Sequence, residues 1–137
     1  MILVDSSVWI DFLESASSPD QAYLSELIHI PDLIGIPGPV VQEVLQGIRD
    51  EATFQRVRER LDHFPVVQAN TETYVKAASL YRTLVRHGVT VPSGDVTIAA
   101  LVLQHACELY TLDRRHFERI RQHSLLRLHE LPRSMSP

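Results

Sequence analysis

At 137 residues and 15.6 kDa the chain has the length of one domain, which excludes large multidomain polymerases, synthetases and transporters. Hydrophobic residues make up 45% and charged residues 22%, with eight Pro and five Gly, so the composition is neither disordered, collagenous nor that of a disulfide scaffold. The formal charge of −4 argues against a protein that coats nucleic acid by bulk electrostatics. Its distribution is uneven, with eleven acids against four bases in residues 1–70 and six acids against nine bases in residues 71–137; twelve of the thirteen bases are Arg. An acidic site flanked by a modestly basic, Arg-bearing surface fits that pattern. The single Cys107, in the run LVLQHACELY, has no partner for an internal disulfide and reads as a small buried hydrophobe. The opening MILVDSSVWIDFLES lacks a basic n-region and an unbroken apolar stretch, so a cytoplasmic address without membrane contact is expected.

In chain order, Ile2 to Val4 is a short apolar strand ending at Asp5, and Ser6 and Ser7 lead into a helix over VWIDFLES with Val8, Trp9 and Phe12 on its core face. A helix over 20–29 follows, then a strand over 32–36 closed by Pro37, Gly38 and Pro39. The period of VVQEVLQG predicts a helix over 40–47 with Glu43 near its polar margin, and Pro39 suits its first turn. Residues 51–64 read as an amphipathic helix, FPVVQ as an extended piece, and 71–87 as a longer helix that Gly88 terminates. Asp95 opens the nearly all-apolar helix DVTIAALVLQHA, Leu109 to Leu112 forms a strand ending near Asp113, and RRHFERIRQH makes a basic amphipathic helix. SLLRLHEL adds an edge strand before a tail at 133–137 that frays. Strands and helices alternate at α/β spacing, so one domain over 1–137 is expected, a three-layer α/β/α sandwich on a mostly parallel sheet.

In such a sheet, ligands bind at the C-terminal ends of the strands. Asp5 and Asp113 sit at or just after strand ends, while Glu43 and Asp95 lie near helix starts that follow loops, so four carboxylates have a physical reason to converge. Clustered carboxylates repel and want a cation. An all-oxygen donor set suits Mg²⁺ or Mn²⁺, and such an ion activates water for attack at phosphorus. The chemistry indicated is metal-assisted phosphodiester hydrolysis.

These same segments resemble the PIN-domain ribonucleases, specifically VapC-type toxins of bacterial toxin-antitoxin pairs. VDSSVWIDFL resembles the family's first strand with its metal-binding aspartate, here Asp5 with Ser7 nearby; PVVQEVLQG resembles the segment bearing its glutamate, here Glu43. GDVTIAA resembles the central acidic motif, placing Asp95 in that role, and TLDRRHF resembles the final segment, with Thr111, Asp113 and Phe117. The resemblance spans essentially the whole chain. It implies an α/β/α fold, dependence on Mg²⁺ or Mn²⁺, a homodimer, cleavage of cellular RNA, and inhibition by a cognate antitoxin. It further implies that Asp5, Glu43 and Asp95 hold the metal, that Asp113 completes the acidic pocket, and that Ser7 and Thr111 orient carboxylates or waters. Hydrolysis by water then leaves a 5′-phosphate and a 3′-hydroxyl.

Arg114, Arg115 and Arg119, with His116 beside them, are candidate RNA contacts next to the site. The helix at 51–64 and the apolar surface around Trp9 and Phe12 are candidate antitoxin surfaces. The seven His residues match no common zinc spacing. A receiver-like phosphoacceptor domain would need a strand-end Lys, and the only Lys, Lys76, falls inside an expected helix. A PIN-like DNA nuclease or a catalytically silent interaction module are the remaining alternatives.

Overall fold

Apolar runs of only two to four residues give this chain a sheet of short, mostly buried strands. The computed structural model describes residues 1–14 and 17–135. Its strands are β1 (Ile2–Val4), β2 (Ile34–Pro37), β3 (Val66–Val67) and β4 (Glu108–Tyr110). Its helices are α1 (Ser6–Leu13), α2 (Pro19–Leu27), α3 (Gly38–Gln46), α4 (Glu51–Leu61), α5 (Thr71–Arg86), α6 (Ser93–Gln104) and α7 (Arg114–Arg121). A 3-10 turn, Arg133–Met135, opens the tail expected at 133–137, whose last two residues lie outside the described ones, as does Ser15 at the expected end of the first helix.

The strands pair in parallel in the order β3-β2-β1-β4, with Ile2 opposite Ile34 on one side and Glu108 on the other. A central strand covered on both faces needs no polar alternation, which is why ILV suffices for β1. From β1 the chain steps outward to β2 and β3, then returns past β1 to lay down β4. Such parallel crossovers are right-handed in nearly all sheets, which puts α1–α4 on one face and α5–α7 on the other. Helix packing agrees: α1 lies against α2 and α3, α3 against α4, α5 against α6, and α6 against α7. The α/β/α sandwich expected from the sequence is the fold.

α6 is the core helix, with Val96 and the run Ile98–Val102 buried. α7 is anchored by Phe117 and Ile120, both fully buried. Trp9 is buried against Phe64, ring centroids 5.2 Å apart, so it packs as the apolar face of the first helix requires. Gly88, at φ +73°, ends α5 as expected: its N–H reaches Val85 O at 2.9 Å and the Val89 N–H reaches Leu84 O at 2.9 Å, the two bonds of a Schellman close.

Two expectations change. SLLRLHEL does not form an edge strand; it meets β4 through one parallel bridge, Leu109 to Leu128. Ser124 explains this, because its Oγ donates to Ile120 O at 2.8 Å and accepts the Leu126 N–H at 3.2 Å, holding the segment's start in a local turn. α6 starts two residues before Asp95, because Pro92 takes the N-cap position with extended backbone. Asp95 is therefore the third helical residue and its side chain is free of capping duty.

Phe117→Ala is expected to destabilise the protein by about 3–5 kcal/mol, the usual cost of emptying a buried aromatic site. Urea unfolding followed by far-UV circular dichroism checks this as a lower midpoint at an unchanged slope.

Candidate metal centre

β1 and β4 are neighbours whose onward connections leave in opposite directions, so a crevice opens at their C-terminal ends, where open parallel sheets bind ligands. The residue after each strand forms its floor. Asp5 follows β1, its N–H bonded to Tyr110 O at 2.9 Å, and Thr111 follows β4. Asp5 is only 4% exposed. Its Oδ2 accepts from Thr111 Oγ1 at 2.7 Å and from Ser7 Oγ at 3.1 Å. Those hydroxyls are themselves fixed: Ser7 Oγ accepts the Leu112 N–H and Thr111 Oγ1 accepts the Asp113 N–H, each at 2.9 Å. Ser7 and Thr111, expected to orient the acids, both bond to Asp5.

Four helices begin around this crevice, and their first residues are unusual in one respect. Asp5 at the N-cap of α1, Pro37 at α3, Pro92 at α6 and Asp113 at α7 make no side-chain capping bond. By contrast, Ser18, Asp50 and Asn70 cap α2, α4 and α5, accepting the backbone N–H of Gln21, Thr53 and Thr73. A capping role for Asp5 or Asp113, the ordinary use of Asp before a helix, is thus absent. Their carboxylates remain available to the crevice, in the favourable field of the helix N-termini.

The other acids arrive from α3, α6 and the start of α7. Glu43 is half-buried, and Ser6 Oγ donates to its Oε2 at 3.4 Å. Asp95 and Asp113 are bridged by His116, whose Nδ1 lies 3.0 Å from Asp95 Oδ2 and 3.2 Å from Asp113 Oδ2. One ligand atom from each of these three residues lies within 4.8 Å of the others. Burial pushes the carboxyl of Asp5 above its ordinary range, with Asp113 adding to it and the bonds from Thr111 and Ser7 opposing it. Burial also raises Glu43, helped by the charges of Asp5 and Asp95. Asp95 is raised by burial, then by Asp113 and Asp5, against the pull of His116. These repulsions couple Asp5 to Asp113, Glu43 to Asp5 and Asp95, and Asp95 to Asp113 and Asp5, whereas the ligand atoms that lie close enough to share one ion among the described residues are those of Asp95, Asp113 and His116, without Asp5 or Glu43. Carboxylate oxygens that disfavour their own charge are the donor set a hard divalent cation fits.

The candidate RNA contacts divide. Arg114 Nη2 is held between Glu118 Oε1 at 2.8 Å and Glu130 Oε1 at 2.9 Å. Arg115 is exposed and Arg119 half-buried, four residues apart on one helix face, and neither has an ion pair among the described residues. His116 faces the acids. That link was half visible in the sequence, since residues three apart on a helix meet and Asp113 precedes His116 by three. Its partner Asp95 comes from another helix, and Ser6 with Glu43 spans 37 positions; neither contact has a local signal.

A family model described as PIN domain matches residues 2–122. Ribonuclease VapC11 of Mycobacterium tuberculosis is 28% identical over 116 residues, 82% of this chain and 87% of that protein. Ribonuclease VapC1 of Methanocaldococcus jannaschii is 26% identical over 124 residues, 90% of this chain and 84% of that protein. Among solved structures, DNA-bound VapBC from Salmonella typhimurium aligns with a TM-score of 0.80 at 17% identity, covering 96% of this chain and 98% of that one. At that identity the likeness shows the fold.

The raised carboxyls set the sign of a pH effect. A group with a folded-state pKa above its unfolded value holds extra protons in the folded state, so its contribution to stability falls as pH rises through that window. For Asp5, Glu43 and Asp95 the window starts at the ordinary 3.8 to 4.5 and extends upward. Asp5→Asn is therefore expected to raise the Tm of the cation-free protein, by more at neutral pH than at pH 4. In wild type, Mn²⁺ at about a hundred times its Kd adds about 2.7 kcal/mol, a Tm rise of about 10 °C for a domain of this size. Differential scanning calorimetry of both proteins across pH, with and without Mn²⁺, checks both signs; the variant should lose the Mn²⁺ response.

Proposed function

Because the chain belongs to the PIN-domain family, we propose that it is a metal-dependent endoribonuclease, acting as the toxin of a toxin-antitoxin pair in the cytoplasm. The electrostatic coupling of Asp5, Glu43 and Asp95 and the close approach of Asp95, Asp113 and His116 beside the end of the β1/β4 pair support this reading. The ribonuclease names of VapC11 and VapC1 support the substrate class. Asp5, Glu43 and Asp95 would hold Mg²⁺ or Mn²⁺, with Asp113 completing the pocket. Such an ion offsets charge on phosphoryl oxygens and makes water a competent nucleophile near neutral pH.

The chain's own residues supply position. Thr111 and Ser7 lock one oxygen of Asp5, fixing the direction in which the carboxylate presents itself. Ser6 restrains Glu43. Arg115 and Arg119, unpaired by neighbouring acids among the described residues, offer guanidinium forks to RNA phosphates flanking the acidic pocket. In the hydrolysis, water forms the new bond to phosphorus and the bond to the 3′-oxygen breaks, giving a 5′-phosphate and a 3′-hydroxyl.

The antitoxin reading rests on the toxin-antitoxin complexes among the solved structures of this fold and on an apolar groove between α1, α3 and α4. That groove encloses about 240 Å³ and is lined by Ile10, Leu13, Val44, Ile48 and Val57. A homodimer is supported by the apolar side of α5, where Tyr74, Val75, Tyr81 and Val85 are exposed. No described helix is long and apolar enough to cross a membrane.

Antitoxin-free protein is expected to cut total cellular RNA into discrete products with Mg²⁺ or Mn²⁺ and to be silent in EDTA. Thr111→Val should lower the rate about 10- to 100-fold, as loss of a ligand-orienting group does, and Asp5→Asn by more. Matched single-stranded DNA run in parallel separates the DNA-nuclease alternative. Intact RNA after incubation with folded, cation-loaded protein would sink the ribonuclease reading.

A further inference from the structure

We propose that His116 is itself a ligand of the cation, making the centre a mixed nitrogen and oxygen site that selects Mn²⁺ or a similar borderline dication over Mg²⁺. The proposal rests on the PIN-nuclease reading of this same pocket and names a donor beyond its four acids.

The geometry is the starting point. His116 Nδ1 lies 3.0 Å from Asp95 Oδ2 and 3.2 Å from Asp113 Oδ2. Neighbouring ligand atoms around a six-coordinate ion with bonds of about 2.1 Å stand about 3.0 Å apart. The two separations match edges of such a shell, and all three atoms fall within 4.8 Å of one another. A resting hydrogen-bond role serves the same contacts less well. Nδ1 carries at most one proton, so it serves two carboxylates only as a split donor, whereas a cation among the three atoms uses a lone pair from each.

The ring is held for this task. It is the third residue of α7, next to Phe117, which is fully buried and fixes the helix on the core. Asp113 stands at the N-cap of the same helix, and Asp95 comes from the first turn of α6, which packs against α7. The side chain of His116 is 29% exposed, so the ring is within reach of solvent. His129 provides the contrast: its Nδ1 meets the single carboxylate of Glu108 at 3.0 Å and its Nε2 meets Tyr23 Oη at 2.6 Å, so both nitrogens already have one partner each.

Ligand chemistry then decides the ion. Mg²⁺ prefers oxygen donors and gives up its waters reluctantly, whereas an imidazole nitrogen favours first-row transition metals. One nitrogen among carboxylates shifts preference toward Mn²⁺ without excluding Mg²⁺.

The test uses full-length protein loaded with one equivalent of Mn²⁺ and examined by pulsed electron paramagnetic resonance, which reads ¹⁴N nuclei bonded to the ion. Wild type should show a histidine nitrogen coupling that changes on ¹⁵N-histidine labelling and vanishes in His116→Ala. In calorimetric titrations, His116→Ala should bind Mn²⁺ at least about tenfold more weakly and Mg²⁺ with a smaller change. Mn²⁺ bound without nitrogen coupling overturns the proposal and leaves the metal-nuclease reading standing. A coupling that persists in His116→Ala assigns the nitrogen elsewhere and also overturns it. Folded protein that binds no Mn²⁺ overturns both.

Discussion

The structure depends on the burial of one carboxylate at the end of its central strand. Asp5 lies where apolar β1 stops, almost inaccessible to water, and a lone charge there is costly. The 2.7 Å bond from Thr111 is what makes the position tenable, and it also joins the ends of β1 and β4. Through Thr111 Oγ1 the Asp113 N–H is tied in, and through Ser7 the Leu112 N–H, so the loop leading into α7 is shaped around this acid. Even with these bonds, burial holds the Asp5 carboxyl above its ordinary range. Fold and site therefore share one constraint: the ends of β1 and β4 are joined through a buried carboxylate.

The charge arrangement around that point is graded. Acids gather at the strand ends, while the basic side chains of α7 are sorted by their partners: Arg114 and Arg121 are held by Glu118, with Glu130 as a second partner for Arg114, and exposed Arg115 and half-buried Arg119 have no ion pair among the described residues. The chain's net charge conceals this local division. A guanidinium is a better phosphate fork than an ammonium, and twelve of the thirteen bases are Arg.

Much of this was legible in the sequence because its causes are local. ILV before Asp5, the apolar run after Asp95 and the basic period of RRHFERIR each place an acid beside an element boundary by simple periodicity. The parallel order of strands follows from their alternation with helices. What stayed hidden was long-range or set by backbone detail. Pro92 reads as a residue near a helix start but takes the cap itself, which moves Asp95 into the first turn. Ser124 captures the Leu126 N–H and denies the last apolar segment its strand. His116 reads as a surface histidine beside arginines until α6 brings Asp95 to it.

The uneven distribution of helix caps also bears on how this protein can be engineered or can drift. Installing Ser, Thr or Asn ahead of a helix is among the easiest routes to a more stable protein. Here that route is already taken at α2, α4 and α5, and it is left unused at α1, α3, α6 and α7, the helices that follow or carry Asp5, Glu43, Asp95 and Asp113. A homologue selected only for heat resistance would be drawn to fill those positions, and each filled cap would put a competing hydroxyl or amide beside the pocket's carboxylates. The missing caps thus mark a boundary between the half of the molecule free to gain rigidity and the half in which added rigidity trades against chemistry.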